Sequence, residues 1–489
     1  MKRNDEDFFQ FEKKKNGISL LKKVTMIFIV IVIIFNFLAF ISIFTIKSYY
    51  DFSKEVFNNG QKYEKSIYIK YKNKIYANIY GEAYQLKNVD TESFKVIDST
   101  DYSDSYIAVD KNSVYFGNIP APDLNPEKFE VIGNGYYTDG KNNYFCQRYS
   151  EKNENLSKFE YIKYYLLMGD RPQRYIYPFK KVEMNRSLQV VKDIDFFTTD
   201  GKKVYYKGEI LENSDINTFG VVDSNNEYFF DKENVYYKTK ILPVKNSGNL
   251  EIVSISQGHN FLYDGKNGYV FLEDYSFDME KAPYRVLGNE GNHIYDLLFV
   301  NNEGVYFYDD QAKKQKRVGD NIFAGKIEEV NPNVFTDDKN IYYFDTYDVW
   351  FKGKNTGHIL TSKNTIIYYL DKKDNWEKVT DIRDGTVVGT IWKKGNDYYY
   401  FDEFYMKNTI YQIADKETLD YLLNANNINH DNMVNLVENK KLIVVNGEEK
   451  IRATTELNGV YRFVIKYSKI FLFILIAIGG IFRLYKKNK

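Results

Sequence analysis

Asp231-Lys232-Glu233-Asn234-Val235-Tyr236-Tyr237 decides the fold, because versions of it return along most of the chain. Asp110-Lys111-Asn112-Ser113-Val114-Tyr115-Phe116 is one version, and Asp200-Gly201-Lys202-Lys203-Val204-Tyr205-Tyr206 is another. A short polar run of Asp, Asn or Gly is turn chemistry, since Asx side chains bond nearby backbone amides and Gly tolerates left-handed backbone. The Val-Tyr-Tyr that follows favours a pleated, half-buried strand. An aromatic pair also precedes the turn, as in Tyr136-Tyr137-Thr138-Asp139 and Tyr228-Phe229-Phe230-Asp231. Each copy therefore reads strand, turn, strand: a hairpin.

With the first turn residue as anchor, clear copies start at Asp110, Asp139, Asp200, Asp231 and Asp264, and fainter ones at Asn301, Asp337 and Ser362. The long interval between Asp139 and Asp200 accommodates a degenerate copy at Asp170, which leads to Arg174-Tyr175 and is preceded by Phe159. Outer copies are expected at Tyr71 and near Lys394. Phe94-Lys95-Val96-Ile97, Phe129-Glu130-Val131-Ile132 and Phe219-Gly220-Val221-Val222 lie ahead of their turns and predict a third strand. Ile210-Leu211 and Ile241-Leu242 predict a fourth. A period of about 30 residues means a repeat architecture, in which neighbours stack because one hairpin cannot bury its own apolar face. Val204, Val235 and Ile341 should be buried, and Lys202, Lys232 and Lys339 exposed.

The turn and strand resemble the DKNYY repeats of bacterial envelope-associated proteins. The resemblance rests on Asp110-Lys111-Asn112 with Val114-Tyr115, on Asp231-Lys232 with Asn234-Val235-Tyr236-Tyr237, and on Asp338-Lys339-Asn340-Ile341-Tyr342-Tyr343. It covers roughly Phe94 to Tyr369 and implies a repeat fold in the cell envelope, with no active site to carry over.

The 489-residue chain is long enough for a sizeable core. Lys+Arg and Asp+Glu both number 67, so no global charge draws the chain to nucleic acid. Its 46 Tyr and 36 Phe against 8 Pro suit many short strands joined by polar turns. Residues 1–23 carry seven positive charges, and Val24 to Ile46 then runs without a charge. About 20 apolar residues span a bilayer as a helix, so 24–46 is expected to be an uncleaved transmembrane helix. Ile470–Phe482 is also uncharged and is followed by the basic tail 483–489. Extended back to 461, it predicts a second span. Basic residues outside the apolar runs place both ends in the cytoplasm and everything between them on the other face.

Between the spans, residues 47–93 read as lead-in strands, 94–410 as a single repeat domain and 411–460 as a mixed α/β segment. Tyr161–Met168 is an inserted helix or a long strand. Leu419, Leu422 and Leu423 after Asp415 suit a short helix, and Met433, Leu436 and Val437 a second. Leu442–Val445 before Asn446-Gly447 predicts a strand with a hairpin turn.

No catalytic signature emerges. Asp337, Asp338 and Asn340, or Asp371 and Asp374, lie at spacings that invite calcium, but the segments lack the glycine and distal glutamate of a calcium loop. Asx turns explain them better. His259, His293, His358 and His430 are scattered, and the lone Cys146 supplies no thiolate cluster or disulfide. Phosphate loops and nucleophile elbows are missing from the sequence. Tyr205/Tyr206 and Tyr236/Tyr237 alternate across a sheet, so one ring of each pair could stack on sugars, or both could serve packing.

The expected protein is an all-β repeat domain, β-propeller-like or an open stack of β-hairpins, flanked by N- and C-terminal transmembrane helices. It is expected to be non-enzymatic, with no catalytic, cofactor-binding or metal residues and no cofactor. Its expected partners are the lipid bilayer and another envelope macromolecule, protein or glycan, and no nucleic acid. A surface carbohydrate-binding module, or an envelope enzyme with a loop-built site, is the alternative.

Overall fold

The computed structural model describes residues 36–457, except 98–104, 158, 161–162, 165–171, 184–186, 256–257, 354–356 and 425–427. Short antiparallel strands dominate. The chain divides into two compact units, Met1–Phe219 and Gly220–Lys489. The boundary cuts the stretch 94–410 that reads as a single domain. Repeats contact mainly their neighbours, so a unit can end between two sheets without a linker to announce it.

In the first unit a helix, residues 36–59, leads into four four-stranded sheets. The second sheet shows the plan. Lys95–Val96 pairs with Ile107–Val109, which turns at Asp110 into Val114–Phe116, which pairs with Ile119–Pro120. The same meander builds the first sheet on the hairpin Tyr68–Tyr71 and Lys74–Ile79, and the fourth on Phe197–Thr199 and Val204–Tyr206. Thus the Phe94 and Phe129 segments do supply an edge strand, and Ile210 supplies the other edge.

The third sheet departs from the plan. Its hairpin Tyr136–Thr138 and Asn143–Cys146 is followed by an insertion, and its last strand is Phe179–Val182. Inside the insertion, among the described residues, Tyr175–Ile176 pairs only with Glu151–Lys152, and Phe159 is exposed in a helical turn. The interval from Asp139 to Asp200 is therefore one repeat plus an insertion, not two repeats. Asp170 itself, and most of Tyr161–Met168, lie outside the described residues.

In the second unit, three more four-stranded sheets are built on the turns at Asp231, Asp264 and Asn301. The next, on Asp337, has five strands. Its hairpin, Asn340–Gly353 and Gly357–Lys372, is far longer than the others and is completed by Glu448–Glu456. Ser362 lies inside this strand and is no turn anchor. The last sheet runs from Glu377–Asp384 to Ile410–Ile413 and ends with Leu442–Val444. Leu442–Val444 and Glu448–Glu456 belong to different sheets, so Asn446-Gly447 carries the chain from one sheet to the next instead of closing a hairpin. Helices Lys416–Asn424 and His430–Glu438 pack Leu419, Leu422 and Met433 on this last sheet. Asp415 accepts the Thr418 amide at 2.9 Å, as an N-cap.

The turn aspartates explain why the repeats fold. Asp231 Oδ1 accepts the backbone N–H of Glu233 and of Asn234 at 2.8 and 2.7 Å, and Oδ2 accepts the Tyr236 hydroxyl at 2.9 Å. Asp110 makes the same three bonds with Asn112, Ser113 and Tyr115, and Asp337 with Lys339, Asn340 and Tyr342. Oδ2 also reaches the incoming chain. The amide of Asp90 donates to Asp110 at 2.7 Å, that of Asn125 to Asp139 at 2.9 Å, and that of Ala324 to Asp337 at 2.8 Å. Each carboxylate is nearly inaccessible to water, yet its lone pairs are used, which is the condition for burying a charge.

Val204, Val235 and Ile341 are buried and Lys202, Lys232 and Lys339 exposed, so the predicted register holds. Both members of Tyr205/Tyr206 and of Tyr236/Tyr237 are buried. Other tyrosines latch neighbouring sheets. The Tyr68 hydroxyl lies 2.7 Å from the carbonyl oxygens of Tyr106 and Gly117. The Gly208 amide donates to the Tyr136 hydroxyl at 2.8 Å, the Glu273 amide to Tyr228 at 2.7 Å, and the Gly447 amide to Tyr343 at 2.7 Å. At Gly208, with φ +78, a Cβ would stand 2.8 Å from Phe145 Cβ, so no other residue fits there.

Among the described residues no helix is long and apolar enough to cross a membrane. The expected span 24–46 is described only from residue 36, and the span 461–482 lies outside the described residues.

Two predictions follow from the turn carboxylates. Asp231→Ala leaves buried amides unpaired and should cost about 3 kcal/mol, while Asp231→Asn keeps an acceptor and should cost about half as much. Urea unfolding followed by tyrosine fluorescence measures both. Burial opposes charge on Asp139, but the amides of Asn142, Asn125 and Lys141 outweigh it and hold the carboxyl at about 2. Its stabilising contribution is complete above the unfolded value near 4 and is lost as pH falls toward 2. Acid titration should therefore unfold the repeats in that window, and Asp139→Asn should flatten the transition.

Candidate functional site

Repetition accounts for most polar side chains, so a site is sought where the repeats deviate. The loop between strands Arg285–Leu287 and Leu298–Asn301 is one such place, and both the cavity and the buried charge cluster of the second unit form around it. Thr365 Oγ1 accepts the amides of Tyr295 and Asp296 at 2.9 and 3.1 Å, and Asn333 Oδ1 accepts those of Asn292 and His293 at 3.0 and 3.1 Å. The loop is thus held from two sides by the long-hairpin sheet.

On one side of the loop lies a cavity of about 510 Å³, with His259, Tyr295, Asp296, Tyr308, Asp310 and Lys363 among its lining. His259 Nε2 stands 2.6 Å from Asp310 Oδ1, and its ring meets Phe261 and Tyr308 edge-on. Lys363 Nζ lies 4.5 Å above the Tyr295 ring. Asp296 Oδ2 accepts the Thr455 hydroxyl at 2.7 Å, while Oδ1 has no hydrogen-bond partner among the described residues. Burial pushes the Asp296 carboxyl up to about 6, with the Thr455 hydroxyl opposing and Asp310 adding to the rise. Near neutral pH this group therefore exists in both forms and can donate or accept. The lining is close to charge balance: two acids against one lysine and one histidine. That suits a neutral polar ligand better than an ion.

On the other side, His293 is buried with Asp402 Oδ2 3.2 Å from Nε2 and Asp345 Oδ1 3.9 Å from Nδ1. Asp402 also accepts the Tyr400 hydroxyl and the Met406 amide, each at 2.9 Å, and the Asn408 side chain donates to Asp345. Burial opposes the charge on His293, but Asp345 and Asp402 outweigh it and raise the imidazole to about 9. Carrying a positive charge between two carboxylates, it ties the loop to both five-stranded sheets. Buried and held by both carboxylates, it acts as a clamp.

His358 is exposed on the long hairpin, and His430 Nδ1 lies 2.9 Å from the Tyr405 carbonyl. Cys146 is buried and its thiol is pushed well above the ordinary range by burial. The oxygens of Asp337 are taken by its own turn and the Ala324 amide, and those of Asp371 by Trp376 and Lys394. Among the described residues no three His, Cys, Asp or Glu side chains gather to hold a metal. The buried Tyr205/Tyr206 and Tyr236/Tyr237 are no stacking platform, since both rings of each pair are almost inaccessible. Sequence reasoning missed Asp296, Asp310 and Asp345, whose partners are distant in the chain. The departure of the Asn301 copy from the repeat spacing was the available signal.

Fold and turns together define an all-β repeat protein built of Asp-anchored hairpin sheets. Residues 68–240, about a third of the chain, match the model of the DKNYY family. The match stops at Lys240, but the same carboxylate-anchored turn continues at Asp337. Comparison with curated proteins and with solved structures found no match.

The clamp yields a prediction. A histidine raised above its unfolded value of about 6.5 stabilises fully below that pH and loses its contribution as pH rises through about 9. Thermal stability should therefore fall between pH 7 and 10. His293→Ala should cost about 3–5 kcal/mol by leaving two buried carboxylates uncompensated, and should remove that alkaline slope.

Proposed function

We propose that this chain is a membrane-anchored, extracytoplasmic β-repeat protein of the bacterial cell envelope that binds another envelope macromolecule without turning it over. The seven positive charges before the uncharged run 24–46 support the anchor and its orientation. The observation that carries the binding role is the cavity. Its volume suits one or two sugar rings better than a protein surface, and its mixture of carboxyl, amide, hydroxyl and aromatic groups suits a polyhydroxylated ligand. The ligand class is thus the end of a glycan.

One observation favours a second reading, a glycan-cleaving enzyme. Asp296 and Asp310 line the same cavity in different environments, one raised by burial and the other 2.6 Å from His259 Nε2, and paired carboxyl groups in unlike environments do acid–base work on glycosidic bonds.

Calorimetric titration of the full chain with envelope saccharide fragments tests both. Binding should weaken at least tenfold in Asp296→Asn, and should change most between pH 5 and 7 as that carboxyl titrates. Release of shorter products by the parent and not by the variant would replace the binding role by the hydrolytic one. Topology is read separately, because buried Cys146 cannot report it. A cysteine introduced as Lys232→Cys should react with an impermeant maleimide on intact spheroplasts, and labelling only after lysis would overturn the orientation.

A further inference from the structure

The long hairpin ends in a patch that the repeat plan does not use. Hydrogen-bonded neighbours flank it only near its base: Val334–Thr336 pairs with Ile341–Tyr343, and Glu448–Glu456 reaches no farther than Ser362. Beyond that point, among the described residues, Val349–Gly353 pairs with Gly357–Thr361 and no third strand lies beside them. A two-stranded ribbon is marginal in water without something to cover it. Yet its outer part exposes Tyr347, Val349, Trp350 and Phe351, at 56%, 37%, 52% and 42%.

The chain's own path says what covers it. Glu448–Glu456 runs toward the hairpin tip, and the Leu457 amide donates to the Thr361 carbonyl at 2.8 Å. From Thr361 the tip at Gly357 lies about 14 Å farther, at about 3.4 Å per residue. The segment expected to span the bilayer, 461–482, begins only four residues after Leu457 and brings Arg462, Lys466 and Lys469 ahead of its uncharged part, and four residues reach about 14 Å at most. The exposed aromatic residues thus lie within a short length of chain of the expected span.

We propose that the hairpin tip, through Trp350 and Phe351 with Val349 and Tyr347, inserts into the headgroup layer of the bilayer that holds the C-terminal run. The inference rests on the membrane-anchored reading. Amphipathic rings settle at this depth, where the apolar body is shielded and the polar edge stays wet. The tip acts as a second foot that sets how the sheets of this unit stand over the membrane.

The test uses the full chain in phosphatidylethanolamine/phosphatidylglycerol vesicles, with an environment-sensitive fluorophore on Trp350→Cys, Ile474→Cys or Tyr421→Cys. Lipids carrying a shallow spin label should quench the probe at 350 by about half, as for a ring at headgroup depth. The probe at 474 should be quenched by deep labels, and that at 421 by neither. Quenching at 474 without quenching at 350 overturns the tip contact and leaves the anchor standing. No quenching at 474 overturns the anchored reading, and the inserted tip with it unless 350 alone is quenched. A probe at 350 that is shielded but unquenched, in proportion to protein concentration, means that a second copy covers the tip and also overturns the proposal. Trp350→Asp with Phe351→Asp, two exposed positions, should abolish quenching of a probe at 349 without lowering thermal stability.

Discussion

Most sheets of this fold depend on a buried carboxylate at a turn. One oxygen of Asp110, Asp231 or Asp337 closes the hairpin by accepting two amides of its own turn. The other takes a tyrosine hydroxyl from the returning strand, and at Asp110 and Asp337 an amide of the incoming chain as well. A group that satisfies local and non-local partners together couples the turn to the sheet it starts. Because a charge this deeply buried is tolerated only with its lone pairs occupied, the anchor admits little variation, and the chain reuses it about every 30 residues. Asn301 shows the margin: its amide oxygen closes the turn as well, with no charge at all.

Tyrosine is the second material of the fold. A tyrosine ring fills the space between sheets as a phenylalanine would, but its hydroxyl then finds backbone groups of the neighbouring sheet, as Tyr68, Tyr136, Tyr228 and Tyr343 do. Such contacts add geometric specificity to apolar packing. The abundance of tyrosine therefore reports construction, and the candidate recognition surface lies elsewhere.

That surface lies where the repeats lapse. The loop around His293 and Asp296, the long hairpin and the returning strand Glu448–Glu456 all belong to sheets that have drifted from the consensus, and they share the second unit. Repeats distribute similar residues evenly, whereas a site needs unlike residues brought together once. Asp296 meets Thr455 across 159 residues, and His293 meets Asp402 across 109.

What the sequence determined by itself was whatever is local. The turn at Asp231, the strand that follows it, the edge strands at Lys95–Val96 and Glu209–Ile210, the inward Val235 and outward Lys232 were all legible, because spacing and residue type act within a few residues. Where local signals were ambiguous they misled: Arg174-Tyr175 resembles a hairpin but pairs with an insertion strand, Ser362 sits inside a strand, and Asn446-Gly447 crosses between sheets. Tertiary structure alone decided that Tyr206 and Tyr237 are both covered, that His293 is charged between two carboxylates, and that Asp296 is raised beside a cavity. Those outcomes depend on which distant segments exclude water from a side chain, and burial of that kind leaves no trace in the neighbouring residues.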